Sequence, residues 1–319
     1  MKRFSDILCV MTPGVDSGTA LERAVTLAEN NQARLTVVAV VERIDSGIIA
    51  GGPRADELQA AVIRARQVEL ATLLQPYRER VELEDKILVG TPFLEIIREV
   101  LRSGHDLVIK TAEKSEWQRR LFGSDDMHLL RKCPCPVWLM RSEEKPNYRC
   151  ILAAVDFESW PDGREAMSRL ILELASSLAL SDFAELHVVH AWVPAAETAM
   201  RVFGGDLSEE EMAANVERER RERQARLERF VGRLREWIGE EAYGYLSPQL
   251  HLRQGKARQE IPALAEELGA DLVVMGTVAR TGIPGLIIGN TAEAILSQID
   301  CSVLAVKPEG FTTPVTLED

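Results

Sequence analysis

Cysteine, long apolar runs and surplus positive charge are all scarce in this chain of 319 residues. Five cysteines are sparse and odd in number for a disulfide framework, so we expect a reducing compartment. No apolar run approaches the ~18–20 residues that a membrane-spanning helix needs. Fifty acidic against 38 basic residues leave a net charge of −12, which argues against nucleic-acid binding because phosphate contacts require a basic surface. We therefore expect a cytoplasmic globular protein without a nucleic-acid or membrane partner.

Common catalytic and metal-binding motifs are also missing from the sequence. There is no Ser/His/Asp triad signature and no H-E-x-x-H motif, and Gly255-Lys256 lacks the preceding glycine and following hydroxyl of a P-loop. Cys133-Pro134-Cys135 is a C-x-C pair without partners at zinc spacing, so its cysteines are interpreted as small apolar residues. His187 and His190 alternate on an apparent buried strand and are interpreted as structural. No catalytic residue and no metal ligand is therefore predicted.

The chain contains an internal repeat. Gly90 and Gly255 begin similar segments 165 positions apart, and each is followed sixteen residues later by an aspartate, Asp106 or Asp271, that opens an apolar run. Two further pairs match at an offset of 166 residues: Phe122-Gly123-Ser124 with Ile288-Gly289-Asn290, and Cys135-Pro136-Val137 with Cys301-Ser302-Val303. We therefore predict two copies of one domain.

Within each copy, short apolar runs alternate with helical patterns. This alternation predicts parallel strands joined by right-handed crossovers, which is a doubly wound α/β sheet. The polar stretch 142–147, with its proline, indicates the linker, so we place the domains at residues 1–145 and 146–319. The second copy carries an additional charged helix over roughly Ser208–Ile238, interpreted as a solvated helix, a lid over the cleft or a partner-binding surface.

A glycine-rich segment of the second copy, Met275–Glu293, connects a buried strand to a helix. Glycine lets the backbone approach a ligand closely, and free amides at a helix start attract an anion such as phosphate. Asn290 or Thr291 is predicted to cap this helix. On spacing alone, the same glycines could equally form only a tight connection, and both readings stay open.

At these residues the chain resembles the universal stress protein family, in particular its tandem-domain branch. The family's nucleotide motif is Gly, two residues, Gly, nine residues, Gly, then Ser or Thr. The corresponding residues here are Gly276, Ala279, Gly289 and Asn290, so the second glycine and the hydroxyl are replaced. The resemblance covers nearly the whole chain and implies an adenine nucleotide alpha hydrolase-like fold in each copy. It also implies that the copies pair through their closing strands as an internal pseudo-dimer, which would cover two apolar edges.

The resemblance further implies a cleft for ATP with Mg²⁺ in the second copy. An aspartate after the first strand, here Asp156, would lie against the nucleoside, and Met275–Gly276 would lie by the adenine and ribose. The amides of the turn before the last helix would meet the phosphates, with Arg280 adding charge. The candidate nucleotide-binding residues are Asp156, Met275, Gly276, Ala279, Arg280, Gly289, Asn290 and Thr291.

The first copy departs further from the family motif. Thr12 and Thr111 stand at the positions of Asp156 and Gly276, and Gly123-Ser124 is followed by Asp125-Asp126, which would repel a phosphate. We therefore expect this copy to have lost its nucleotide and to serve as a packing partner. Whether it keeps a small cavity is left open.

The resemblance implies a stress-response protein that supports tolerance to starvation, oxidative or DNA-damaging stress. We expect it to be non-enzymatic, with ATP acting as a signal. Two alternatives stay open: a slow ATPase, and a carrier of a nucleotide-sugar or lipid-like metabolite that would use the apolar walls of the cleft. Further association into a homodimer is also left open.

Overall fold

A computed structural model describes residues 4–44, 55–112, 125–141, 147–157, 164–195, 208–277 and 289–317. These residues divide into two compact units. The first consists mainly of Arg3–Pro146 and Ser302–Asp319, and the second mainly of Asn147–Ala279 and Gly289–Cys301. None of the described helices is both long and apolar enough to span a membrane.

The strands are short and rich in Val, Ile and Leu, as expected for strands buried on both faces of a parallel sheet. In chain order they are β1 (Asp6–Met11), β2 (Arg34–Val41), β3 (Leu83–Val89), β4 (Leu107–Thr111), β5 (Val137–Met140), β6 (Cys150–Ala154), β7 (Glu185–Trp192), β8 (Gln249–Gln254), β9 (Leu272–Gly276) and β10 (Ser302–Val306).

Helices follow most strands and complete the alternation that the sequence predicts. They are α1 (Gly18–Asn31), α2 (Ala55–Leu74), α3 (Pro92–Ser103), α4 (Asp125–Lys132), α5 (Arg164–Asp182), α6 (Glu209–Gly232), α7 (Leu234–Ile238), α8 (Glu240–Leu246), α9 (Ala257–Leu268) and α10 (Asn290–Leu296). The charged helix predicted over roughly Ser208–Ile238 is interrupted at Arg233, so it forms α6 and α7. Ser208 caps α6 through a reciprocal capping box with Glu211.

Each unit has the strand order of a doubly wound sheet. In the first unit the order is β3-β2-β1-β4-β5-β10, and in the second it is β9-β6-β7-β8. The pairings β1–β2, β2–β3, β1–β4 and β4–β5 are parallel, as are β6–β7, β6–β9 and β7–β8. The predicted α/β fold is confirmed.

The repeated aspartates have the same structural role in both units. Asp106 accepts backbone N–H groups from Ser5 (2.7 Å) and Asp6 (3.1 Å), where β1 begins. Asp271 accepts those of Arg149 (2.6 Å) and Cys150 (3.0 Å), where β6 begins. Charge-assisted hydrogen bonds of this kind are stronger than neutral ones, so each carboxylate holds the first strand of a copy beside the fourth.

The repeated glycines also have a structural explanation. Gly90 has a φ of +148°, and a Cβ there would lie 2.9 Å from Cγ of Glu95. Gly255 has a φ of +153°, and a Cβ there would collide with the carboxylate of Glu260. In both copies a glutamate five positions later packs against the glycine backbone, and a side chain at the glycine would collide with it.

The closing strands of the two sequence copies pair with each other inside the first unit. β10 runs antiparallel to β5, with Val303 opposite Leu139 and Leu304 opposite Trp138. The Trp138 side chain is fully buried, and Arg141 N donates to Ser302 Oγ at 3.0 Å. The pairing through closing strands that the resemblance implies is present, and it covers the apolar edge of β5.

Two imidazoles are hydrogen-bonded to each other on β7 and β8. Nδ1 of His187 lies 2.9 Å from Nε2 of His251, so at least one of the rings must be neutral. Burial, the charge of His187 and that of Arg253 hold the pKa of His251 below its ordinary value of 6.5, against the opposing effect of Glu267. This pair therefore disfavours protonation in the folded protein.

We predict that this histidine pair makes folding stability sensitive to acid. Because the folded-state pKa of His251 is lower than the unfolded-state value, the unfolded chain binds more protons as the pH falls through and below 6.5. The free energy of unfolding should therefore be larger at about pH 7 than at about pH 5. The His251→Gln variant should show a smaller difference between the two pH values. Urea unfolding midpoints of both proteins at the two pH values measure the effect. Equal declines would contradict this role of His251.

Candidate functional site

The predicted phosphate turn of the second copy is closed by a backbone hydrogen bond. β9 ends at Gly276, and Gly289 N donates to the carbonyl of the next residue, Thr277, at 2.9 Å. This bond places the start of α10 directly beside the end of β9. The first amides of a helix have no acceptor within it, so those at the start of α10 are suited to an anion.

The cap of α10 differs from the prediction. The residue before the first helical turn is Gly289, not Asn290 or Thr291, and its carbonyl accepts Glu293 N at 2.9 Å. Among the described residues no side chain caps this helix. The prediction was wrong because glycine is itself an acceptable cap residue, so the helix includes Asn290 as its first residue. Asn290 and Thr291 are consequently both exposed at the turn.

Asp156 follows β6 and lies beside the end of β9. Ala154 is opposite Met275 in the parallel register, so the residues after both strands leave the sheet side by side. The backbone of Asp156 is fixed by Ser168 of α5: its N–H donates to Ser168 Oγ (3.0 Å), and that hydroxyl donates to the Asp156 carbonyl (2.8 Å). The structure thus brings Asp156, Met275, Gly276 and the Gly289–Thr291 turn to one edge. Ala279 and Arg280 lie outside the described residues.

Helix α6 contacts the last residue of β7, Trp192, and also Phe157, which follows β6. Its Arg223 is positioned over the Trp192 ring, with Cζ 5.0 Å from the centroid, and bonds Glu219 at 2.7 Å. Burial and the charge of Arg226 lower the pKa of Arg223, while the charge of Asp156 raises it, so Arg223 and Asp156 are electrostatic neighbours. This part of the charged helix therefore lies near Asp156.

An aromatic cluster lies between α6 and the strand ends. The Phe157 ring is 4.2 Å from the His190 ring and 5.9 Å from that of Phe230 on α6. Nδ1 of His190 lies 3.1 Å from the carbonyl oxygen of Val155, which fixes the imidazole beside the end of β6. His190 is therefore part of the wall beside Asp156. The sequence analysis interpreted His190 as structural. The available signal was that His190 and Trp192 are two residues apart on β7 and therefore point to the same face of the sheet.

The first copy keeps a cavity of about 690 Å³ at the corresponding edge of its sheet. The wall is mainly apolar and comes from the ends of β1 and β2, from α2 and from the start of α3. Its polar members are Thr12, Glu42, Arg66, Lys110 and Asp125. The question that the sequence left open is answered: this copy has a cavity.

A buried ion pair borders this cavity. Lys110 Nζ donates to Asp126 Oδ1 at 2.6 Å, and both side chains are almost fully buried. Asp126, predicted to repel a phosphate, is thus neutralised by a lysine that sequence reasoning missed. The available signal was a lysine inside the apolar run Leu107–Thr111. Within the described part of the chain, the buried Thr12 Oγ1 has no hydrogen-bond partner.

His128 lies on α4 beside Asp125 and Asp126. Its ring stacks on Phe93 with centroids 4.2 Å apart. Burial, then the charges of Lys132 and Arg131, lower the pKa of His128, which disfavours its charged form. Across the described residues, no three His, Cys, Asp or Glu side chains are grouped as metal ligands.

The fold and this edge define a class of α/β domains that bind ligands beyond the carboxyl ends of parallel strands, where the strand order changes direction. The sequence model of the Universal stress protein family matches residues 3–141 and 147–307, and the chain belongs to that family. Both sequence copies are therefore domains of the same family.

Individual relatives match along nearly their whole length. Universal stress protein E of Escherichia coli (strain K12) is 28% identical over 325 residues, covering 100% of this chain and 99% of the relative. A Universal stress protein E homolog of Haemophilus influenzae is 28% identical over 316 residues, with coverage of 96% and 98%. A solved structure of a functionally unknown Pseudomonas aeruginosa protein has a TM-score of 0.71 at 27% identity, covering 97% of this chain and 94% of that one. The tandem resemblance is confirmed.

We predict that the Lys110–Asp126 pair stabilises the first unit only when both members are present. Lys110→Met or Asp126→Leu alone leaves a buried charge without its counterion and should cost about 3–5 kcal/mol. The double variant should cost clearly less than the sum of the two, because it leaves neither charge. Urea unfolding of the four proteins measures this coupling. Additive losses would contradict direct pairing.

Proposed function

We propose that this protein is a cytoplasmic, non-enzymatic stress-response protein that binds ATP with Mg²⁺ at the second copy's strand edge. The observation that carries the proposal is the 2.9 Å bond from Gly289 N to Thr277 O, which sets a helix start beside a strand end. Its family supports a role in tolerance to starvation, oxidative or DNA-damaging stress. The nucleotide would act as a signal, because its binding would alter the affinity of the protein for partner molecules.

Each part of the nucleotide would have its own contacts in this proposal. The base and ribose would lie along Met275–Gly276, with Asp156 accepting hydrogen bonds from ribose hydroxyls. A Cβ built on Gly276 would be 3.6 Å from Met167, so the Met167 side chain packs beside this stretch of backbone and would border the base and ribose. The phosphates would accept bonds from the amides of Asn290 and Thr291, whose side chains are exposed.

The two positions that differ from the family motif, Ala279 and Asn290, would mainly affect how the phosphates are bound. Ala279 adds a methyl group where the family has glycine, and Arg280 beside it would supply positive charge to the phosphates. Asn290 can donate a hydrogen bond but offers no hydroxyl to a metal-bound phosphate. Hydrolysis needs a metal-bound triphosphate and a group that orients water. Asp156 is the single carboxylate among the proposed site residues and has Arg223 as a neighbour, which favours binding over turnover.

The first-copy cavity favours a second candidate function, carriage of a nucleotide-sugar or lipid-like metabolite. Its volume of about 690 Å³ lies within the ~300–1,000 Å³ typical of small-molecule sites. Apolar walls would hold an acyl chain or sugar face, while Arg66, which lines the cavity and pairs with Glu69 at 2.6 Å, would turn toward a phosphate or carboxylate. This candidate uses a different edge from the first, so the two functions are separable by mutation.

We predict one ATP bound per chain in the presence of Mg²⁺. Gly289→Val should abolish binding, because its side chain would occupy the space in front of the turn. Asn290→Asp should weaken binding by at least about tenfold, since a carboxylate beside the phosphates costs more than about 1.4 kcal/mol of repulsion. Isothermal titration calorimetry with each purified protein measures both effects.

Ser124→Asp is the matched control, because Ser124 is the first-copy counterpart of Asn290 in the repeat. It should leave ATP affinity unchanged. Loss of affinity in Ser124→Asp but not in Asn290→Asp would move the nucleotide to the first copy. No binding of ATP by the parent protein, together with binding of a nucleotide-sugar that Arg66→Ala weakens, would favour the carrier function instead.

A further inference from the structure

Cys133 and Cys135 form a pair of neighbouring thiols beneath the surface of the first unit. They flank Pro134 in the turn between α4 and β5, and their Sγ atoms are 3.6 Å apart, within hydrogen-bond distance for sulfur. Cys133 is fully buried and Cys135 retains 7% exposure. A small solute therefore needs only a local opening of this turn to reach the sulfurs.

A buried lysine completes the cluster. Lys307 follows β10 and is 4% exposed. Its Nζ donates to the carbonyls of Leu130 and Arg131 at the end of α4, the second at 3.5 Å, and lies 5.1 Å from the centre of the Phe311 ring. A cation at a helix C-terminus is favoured by the helix dipole, and this position also sets a positive charge beside Cys133.

The electrostatics of the two thiols are unequal. Burial would raise the pKa of Cys133, but the hydrogen bond donated by Cys135, the backbone of Cys135 and the charge of Lys307 together lower it. The pKa of Cys135 is raised by its bond to Cys133, by burial and by the charges of Cys133 and Asp106. Cys133 is therefore the member that ionises first, with Cys135 as its hydrogen-bond donor.

Lys307 is less basic than an exposed lysine. Burial lowers the pKa of Lys307 to about 8, although the negative charge of ionised Cys133 and Cys135 opposes this. With a pKa of about 8, the Lys307 ammonium group still carries most of its positive charge at pH 7. Two other cysteines differ in this respect, because burial raises the pKa of Cys9 to about 12 and that of Cys150 to about 11.

We propose that Cys133 and Cys135 are a peroxide-reactive dithiol, in which Cys133 is oxidised first and Cys135 closes a reversible disulfide. This site is independent of the nucleotide-binding edge and adds an oxidant-sensing modification to the protein. The oxidant is a hydroperoxide, with hydrogen peroxide as its simplest member, and Lys307 is a positioning residue that stabilises the thiolate.

The chemistry balances with one peroxide consumed. The Cys133 thiolate attacks one peroxide oxygen, the O–O bond breaks, and the released hydroxide takes a proton to leave as water, with Cys133 as the sulfenic acid. The Cys135 thiol then attacks the Cys133 sulfur, and the S–O bond breaks with loss of a second water. Two thiols and one peroxide thus give one disulfide and two waters. A disulfide between residues two positions apart closes a small ring, which favours its later reduction by thiols.

The competing interpretation is purely structural, with Lys307 only holding the end of α4 and the cysteines only filling space. It predicts no preferential oxidation of this pair among the five cysteines. The two interpretations therefore differ in a measurable way, namely which thiols react and how fast.

The test treats the reduced full-length protein with one equivalent of hydrogen peroxide at neutral pH. We expect loss of two of the five thiols, a mass decrease of about 2 Da and a Cys133–Cys135 link in peptide mass spectra, all reversed by dithiothreitol. Oxidation that is spread over the other cysteines, or no oxidation under conditions in which free cysteine reacts, would overturn the proposal.

Variants separate the roles within the cluster. Cys135→Ala should let the Cys133 sulfenic acid persist, so that dimedone labels Cys133, whereas Cys133→Ala should leave Cys135 unlabelled. Cys9→Ala, which removes another buried thiol, is the matched control and should still lose two thiols. Equal labelling of Cys133 and Cys135 in the two variants would contradict the proposed order.

Lys307→Met tests the contribution of the charge. It should slow disulfide formation about tenfold at neutral pH, because the thiolate loses its counterion. The pH at which the rate of disulfide formation begins to rise should also be higher than in the parent protein. A merely structural lysine would change thermal stability without moving the pH profile. An unshifted profile in folded Lys307→Met would refute the role of Lys307.

Discussion

The contact on which both copies depend is a carboxylate at the start of the fourth strand that holds the start of the first strand. Asp106 and Asp271 each accept two backbone N–H groups, and these bonds set the register of β1 beside β4 and of β6 beside β9. Because parallel strands advance together, fixing their starts also fixes which residues stand side by side at their ends. The geometry of both candidate sites follows from that register.

The two copies carry different residues at the carboxyl ends of their strands. In the first, Lys110 and Asp126 neutralise each other beside an open cavity of about 690 Å³. In the second, a glycine-bordered turn stands next to Asp156, and α6 brings Phe230 and Arg223 over the strand ends. One fold therefore places a polar turn at this edge in one copy and a largely apolar cavity in the other, which agrees with function residing in sites rather than in the fold.

The closing strand of the second sequence copy, β10, contributes both a strand and a charged side chain to the first unit. β10 belongs to the second copy in sequence, yet it pairs with β5 and ends at Lys307, whose ammonium group lies at the end of α4 near Cys133. A thiol pair of the first copy therefore has its positive neighbour from the second. Neither copy alone contains the complete cluster, so its properties arise from the tandem arrangement.

The alternation of short apolar runs and helices and the internal repeat were predictable from the sequence, because the periodicities of strands and helices are local properties. The cap of α10 at Gly289 was not, since several neighbouring residues could cap a helix and packing decided among them. Lys110 with Asp126, and Lys307 beside Cys133, are separated by 16 and 174 residues, and no local pattern links such pairs. Only the tertiary structure could pair them, because burial makes each isolated charge costly and therefore selects its partner from whatever the fold brings near.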